Sequence, residues 1–210
     1  MGGSSTCVAW RQAWGPDAER SLSVCLARSG LELLELPSQQ WDSRASTIGG
    51  VRDYKCLRLG PGVPGWSVVL LELGAEYYED LARDLSLAAP VPALTFTEWD
   101  QIAWGYSLWA NGKRVESFWN DPEAVGEDSR ARAGEPSLLA FTCGVSEASI
   151  RPYLRQRVQG AAIEGRAHPD DEFELDDPWV RVDVMRRLGI GYPDLKSPAG
   201  RYVTLARRSA

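Results

Sequence analysis

The chain has 210 residues, a formal charge of −6, 44% apolar residues and 25% charged residues. A chain of this length buries roughly 70% of its unfolded surface and needs no metal or disulfide staple, and its composition is that of a folded globular protein. The acidic balance argues against non-specific nucleic-acid binding, which depends on basic patches, and no apolar run reaches the ~20 residues of a membrane-spanning helix.

Met1 to Thr6 reads as a flexible leader, Gly-Gly-Ser-Ser being poor in anything that packs. Gly15-Pro16-Asp17 opens a helix that Gly30 closes, because proline suits a first turn and glycine the position after the last. Ala18, Leu22, Cys25 and Leu26 share its apolar face. Leu31 to Leu36 reads as a strand, and 37–50 as a polar loop with Trp41 as an anchor.

Val51 to Leu59 and Trp66 to Leu73 read as strands, and Glu76 to Leu87 as a helix burying Tyr78, Leu81, Ala82 and Leu85. Gly60-Pro61-Gly62-Val63-Pro64-Gly65 spells GxGxxG, but a dinucleotide site needs the motif to open a helix. Here a strand-like run follows, and two prolines lack amide donors. It reads as a hairpin connection.

Val91 to Trp99 is a strand, followed by the aromatic segment from Trp104 to Trp119. Asn111-Gly112 is a strong signal for a two-residue hairpin turn, since both positions need positive φ. Regular pairing from that turn places Trp104, Tyr106, Leu108, Val115 and Trp119 on one face, which reads as core. Trp109, Arg114 and Phe118 fall on the other face. That trio is a candidate partner-binding site, because Trp and Arg dominate interface hot spots; the alternative is that a helix covers it.

The chain then becomes charged from Glu123 to Glu135. Glu135 to Cys143 and Ser146 to Val158 read as helices, the second with Ile150, Tyr153, Leu154 and Val158 on one face and Pro152 as an interruption. Gly160 to Asp177 is a loop. Asp177 caps and Pro178 starts a helix closed by Gly189, and Tyr202 to Ala206 reads as a last strand. The expected fold is α+β: mainly antiparallel sheet with helices packed on one side and a helical C-terminal region. Residues 1–122 form the mixed α/β sheet portion and residues 123–210 the mostly helical portion of one compact domain.

The acidic run Asp170-Asp171-Glu172-Phe173-Glu174-Leu175-Asp176-Asp177 lacks the residue order of a calcium loop. It reads as a solvated loop, with Asp170, Asp171, Glu172, Phe173 and Glu174 as a second candidate partner-binding site. His168 is the sole histidine and sits in a polar loop with no nucleophile motif to serve. Cys7, Cys25, Cys56 and Cys143 are widely spaced, without the paired spacing of a zinc site, and suit a reduced, cytoplasmic setting. No carboxylate pair is singled out for glycoside hydrolysis. Neither a catalytic residue, a metal ligand nor a cofactor is expected.

The stretch from Leu81-Ala-Arg-Asp-Leu-Ser through Trp104-Gly-Tyr-Ser-Leu-Trp-Ala-Asn-Gly-Lys-Arg-Val-Glu-Ser-Phe118 resembles a pattern in small uncharacterised bacterial proteins. There a helix, a strand and a W-G-Y-x-L-x-x-x-G-x-x-V-x-x-F hairpin follow one another. The close, Asp176-Asp-Pro-Trp-Val-Arg-Val-Asp-Val-Met-Arg-Arg-Leu-Gly-Ile-Gly-Tyr-Pro193, resembles the end of such proteins. Some chains of this layout resemble immunity proteins that neutralise bacterial toxins. The resemblance carries no catalytic residue. The negative charge, the surplus of aromatics and the lack of a coherent catalytic or cofactor motif point to a non-enzymatic domain that binds another protein, a basic one by charge, and the resemblance adds an immunity-type or antitoxin role. Two alternatives stay open: an enzyme or small-molecule binder with a Trp/Arg-lined pocket, and a structural subunit that joins its copies through the helix at 178–189.

Overall fold

A computed structural model describes residues 5–35, 55–61, 65–71, 78–126, 133–158, 160–192 and 201–207; for 32–35, 55–61, 71 and 201–207 the description is of the backbone alone. The chain is α+β. Among the described residues eight strands form: β1 (Ser5–Trp10), β2 (Leu31–Glu35), β3 (Lys55–Pro61), β4 (Ser67–Leu71), β5 (Ala93–Trp99), β6 (Ala103–Ala110), β7 (Lys113–Trp119) and β8 (Arg201–Arg207). They form one sheet of order β2-β8-β3-β4-β1-β5-β6-β7, every neighbouring pair antiparallel.

The leader expected at the N-terminus is partly wrong. Ser5 to Trp10 forms β1, which sits inside the sheet between β4 and β5. Cys7, Val8, Ala9 and Trp10 are at most 1% exposed, so both faces of this strand are covered. A strand buried on both sides shows no alternation, and six residues are too few to stand out without it.

Helices α1 (Pro16–Arg28) and α2 (Tyr78–Ala88) pack on one face of the sheet. Their apolar stripes are those the spacing predicts: Ala18, Leu22, Cys25 and Leu26 on α1, and Tyr78, Leu81, Ala82 and Leu85 on α2. They close over Val8, Trp10, Val69 and Ala93. The C-terminal helices α3 (Pro136–Cys143), α4 (Glu147–Ile150) and α5 (Val180–Arg187) contribute to the core on the opposite face. There Leu139, Ile150, Val180, Val184 and Met185 meet Cys7, Leu94, Phe96, Trp104, Tyr106 and Leu108. Each fully buried side chain of this size contributes about 1.5–3 kcal/mol through removal from water, so this layer is a principal source of stability.

β3 and β4 pair antiparallel, Pro61 opposite Ser67. The glycine-rich stretch therefore joins two hairpin strands, and residues 62–64 of it lie outside the description, as does Trp41. The helix expected over 146–158 stops early: α4 gives way to a 3-10 turn at Arg151–Tyr153. Pro152 cannot donate to a preceding carbonyl, so the helix does not propagate. Ile150 and Tyr153 remain buried, but Val158 is 70% exposed instead of sharing their face.

The aromatic hairpin turns where expected, with φ of 51° at Asn111 and 73° at Gly112. Its register differs. Ala110 pairs with Lys113 and Trp109 with Arg114, but Leu108 pairs with Glu116. Val115 is the extra residue of a bulge. Because side chains alternate with period two, one inserted residue reverses the facing of everything beyond it. Phe118 is consequently core at 0% exposure, Val115 is 47% exposed, and Trp119 turns to the α1/α2 side. There its ring lies against Gly105, where an added Cβ would stand 2.5 Å from it.

Candidate functional site

The first predicted site is dismantled by this register. Phe118 stacks on Tyr106 at 5.8 Å and packs against Trp104 at 5.1 Å, inside the core. Trp109 is half-buried against the α1/α2 layer, and its indole N–H donates to Glu79 Oε2 at 3.0 Å. Glu79 Oε1 also accepts the hydroxyls of Thr95 and Ser107. Trp109 therefore fastens α2 to the sheet. Arg114 alone of the three is exposed.

The acidic run is not a freely solvated loop. Asp171 is 2% exposed and accepts bonds from the Tyr153 hydroxyl at 2.7 Å, the His168 amide at 2.9 Å, Arg186 at 3.1 Å and Arg187 at 2.8 Å. Burial pushes its carboxyl up, but Arg187, Tyr153 and the His168 amide more than offset this and hold it below the usual carboxylate range. Asp170 is bound by Arg187 at 2.5 Å. Asp183 on α5 accepts the amides of Glu172 and Phe173, so the loop is strapped to the helix that follows it. Glu172 and Glu174 remain exposed, and Phe173 is half-buried.

Arg157 organises a different surface. Its amide donates to the Asn120 carbonyl at 2.6 Å, and its guanidinium donates to the Ile102 carbonyl at 2.8 Å, Asp121 at 3.2 Å, and the Asp176 carboxylate and carbonyl at 2.7 and 3.0 Å. One side chain thus joins the β5–β6 turn, the end of β7 and the acidic loop. Asp121 and Asp176 neutralise it.

Exposed apolar side chains stand on both faces toward this end of the sheet, Trp99 on the α1/α2 face with Thr95 and Ala103, and Trp179 on the α5 side with Arg181. Trp99 is 37% exposed, Ile102 45%, Val158 70% and Trp179 42%. Trp99 and Ile102 flank a two-residue turn, closed by the Ile102 amide on the Trp99 carbonyl at 3.0 Å. Its central residues, Asp100 and Gln101, have φ of 51° and 60°. Left-handed backbone at residues other than glycine stores strain and recurs at functional sites. The turn is held by the Glu98 carboxylate, which accepts the Gln101 amide at 2.5 Å.

Trp179 is fixed in place although its face is open. Phe173 stacks on it at 6.4 Å, Tyr192 meets it edge-on at 6.0 Å, and the Arg181 guanidinium lies 4.4 Å from its ring centre. Arg181 is fully buried. It donates to Ser5 Oγ at 2.7 Å and to the Pro178 carbonyl at 3.2 Å, and Ser5 Oγ donates in turn to Glu98 at 3.2 Å. A continuous polar chain therefore links Trp179 to the turn carrying Trp99. Among the described residues no carboxylate pairs directly with Arg181, and its Nε, Trp104 Nε1 and Asn120 Nδ2 are buried without a partner.

His168 places Nε2 3.0 Å from the Ser149 carbonyl oxygen; that nitrogen must donate, so it is not a base toward a hydroxyl. Among the described residues no three metal-binding side chains gather, and no helix is long and apolar enough to cross a membrane. The sequence singled out Phe173 and Glu174 but not Trp99, Ile102, Arg157 and Val158 as candidates. Asp100-Gln101 lacks the Asn-Gly signature of its turn, and Arg157 acts through partners 19 to 55 residues distant. No protein-family model, curated protein or solved structure matches the chain.

Proposed function

We propose that this chain is a non-enzymatic protein-binding domain whose docking surface is formed by Ile102, Val158 and Trp179, on the segments that Arg157 ties together. The observation that carries the reading is the combination of exposure with rigidity. Three large apolar side chains stand open to solvent on elements locked from beneath by Arg157 and Arg181. A preformed apolar centre lowers the ordering cost of association, and tryptophan is enriched among residues that dominate binding energy.

The layout resemblance supports an immunity-type or antitoxin role in a bacterial cytoplasm. Crosslinking in the source organism tests the surface. A partner captured by the wild type and by Trp109→Ala/Arg114→Ala, but lost with Ile102→Ser/Trp179→Ser, is the expected pattern. Loss with the first pair and retention with the second would return the site to the hairpin. The immunity role itself predicts that co-expression rescues cells from one specific toxin.

A second reading, a small-molecule binder, is favoured by the three unpartnered buried donors near Arg181, Trp104 and Asn120, since such groups ordinarily find an acceptor. A ligand that raises the melting temperature in the wild type but not in Arg181→Met would support it. The subunit reading, joining copies through the 178–189 helix, is less favoured: Val180, Val184, Met185 and Leu188 are at most 1% exposed against the chain's own sheet, and Trp179 is the large apolar side chain of that segment left open.

A further inference from the structure

We infer that Asn111 is a site of slow covalent modification, converting in water to aspartate and isoaspartate, and that the buried hydroxyl of Ser86 on α2 sets its rate. The chain has two asparagines, Asn111 and Asn120, and the fold treats them oppositely. Asn120 is fully buried, its side-chain oxygen accepting the Trp104 amide at 2.8 Å and its own amide donating to the Trp104 carbonyl at 3.0 Å. Asp121 follows it, so a side chain crowds the next peptide. Asn111 is exposed at the tip of the β6–β7 hairpin and is followed by Gly112. Glycine has no Cβ to obstruct the approach of its amide nitrogen. That nitrogen gives its proton to solvent base and attacks Asn111 Cγ. The N–Cγ bond forms, the side-chain nitrogen takes a proton from solvent and leaves as ammonia, and a five-membered imide remains. Water then opens the ring. Breaking the new N–Cγ bond gives aspartate; breaking the original peptide bond gives isoaspartate, whose chain runs through Cβ and Cγ.

The closed hairpin tip holds this reaction back. Asn111 and Gly112 have φ of 51° and 73°, the left-handed pair that a two-residue turn demands. Turning the nitrogen onto Cγ requires the peptide between them to rotate, which the pairing of Ala110 with Lys113 opposes. The Gly112 amide also donates to Ser86 Oγ at 2.9 Å. Ser86 is fully buried and gives its own proton to the Arg83 carbonyl at 2.8 Å, so its oxygen is a fixed acceptor. Leu87 lies against the same glycine, where an added Cβ would stand 3.5 Å from it. The reaction therefore waits for the tip to lift off α2, a local opening. Isoaspartate adds one backbone atom to a turn whose geometry matches the strand twist only with two ordinary residues, and it places a carboxylate beside Lys113 and Arg114. The product loosens the tip's hold on α2.

The test ages the full chain in warm, mildly alkaline buffer, native and in urea, and follows the asparagine-to-aspartate mass shift by peptide mass spectrometry. An isoaspartyl methyltransferase assay separates the two products. Conversion is expected at Asn111 and not at Asn120 in the native protein, and more slowly there than in urea. Ser86→Ala should raise the native rate about fivefold, the change in open population when one ordinary hydrogen bond is lost, and leave the rate in urea unchanged. Leu87→Ala, at a residue 56% exposed, is the second arm and should raise the native rate as well. Thermal melts confirm that each variant is folded. The isoaspartyl fraction, isolated by ion exchange, should melt below both the wild type and Asn111→Asp. Earlier conversion at Asn120, a native rate equal to that in urea, or a native rate unmoved by both α2 variants would overturn the inference. So would a native chain that stays intact while the unfolded one converts, or an isoaspartyl fraction that melts like the wild type.

Discussion

Leu108 pairs with Glu116 across the hairpin, and the residue this leaves over, Val115, decides which aromatic side chains are core. Phe118→Ala is expected to cost about 3–5 kcal/mol, as for a large aromatic removed from a close-packed interior. Val115→Ala, at an exposed bulge, should fall within about 0.5 kcal/mol of wild type. Urea denaturation measures both. Regular pairing would rank them in the opposite order, so a costly Val115 and a silent Phe118 would refute the bulge.

Gln101 has φ of 60° in the turn that separates Trp99 from Ile102. Left-handed backbone costs a residue with a Cβ about 1–2 kcal/mol, whereas glycine's extra freedom in the unfolded chain costs about 0.5–1. Gln101→Gly is therefore expected to stabilise the fold by roughly 0.5–1 kcal/mol, and its amide bond to Glu98 is retained. A drop in melting temperature would contradict the turn geometry.

Arg157 donates to two carboxylates and two carbonyls with a side chain only 15% exposed. Arg157→Leu leaves Asp121 and Asp176 facing each other without a cation. The expected loss is about 3 kcal/mol, in the range for breaking a largely buried pair on one side. Arg157→Lys should lose less, because a single ammonium keeps the charge but not the fork. Equal stability of all three proteins would show that the hub is not structural.

Two carboxylates give opposite pH dependences. Asp171 is held below its ordinary range despite burial, so its stabilisation is present above the unfolded-state value near 4 and is lost as pH falls through its lower folded value. Glu116 is pushed up by burial, partly offset by the Tyr106 hydroxyl and the Glu135 amide. A raised carboxyl favours the fold below its unfolded value and costs stability as pH rises through the folded one. Asp171→Asn should therefore flatten the acid limb of stability between pH 2 and 5, and Glu116→Gln should gain relative to wild type between pH 5 and 7. Chemical denaturation across pH separates the two.

Burial raises the thiols of Cys7 and Cys143 to about 12 and that of Cys25 to about 11. Native protein at pH 8 should show these three protected from a disulfide reagent until it unfolds. Prompt labelling of Cys7 would place β1 outside the sheet.

Local pattern sufficed where one element reports on itself. The stripes of α1 and α2, the Asn111-Gly112 turn and the α+β class follow from periodicity and turn chemistry within a dozen residues. β1 was not legible, because burial on both faces erases alternation. Phe118 was misassigned because a single bulge at Val115 changes facing without changing composition. The candidate surface depended on tertiary structure throughout. Phe173 was picked from its neighbours in the acidic run, but what it does, bracing Trp179, is set by packing. Trp99 and Ile102 carry no local mark, and the periodicity around Val158 pointed to burial, since exposure is a property of what fails to cover a residue. Arg157 and Arg181 reach partners up to 55 and 176 residues away, and no spacing rule spans such separations. Short-range sterics and hydrophobic period set most of the elements, β1 and the end of α4 excepted; only the fold decided which side chains face water, because that is settled by the packing of distant segments.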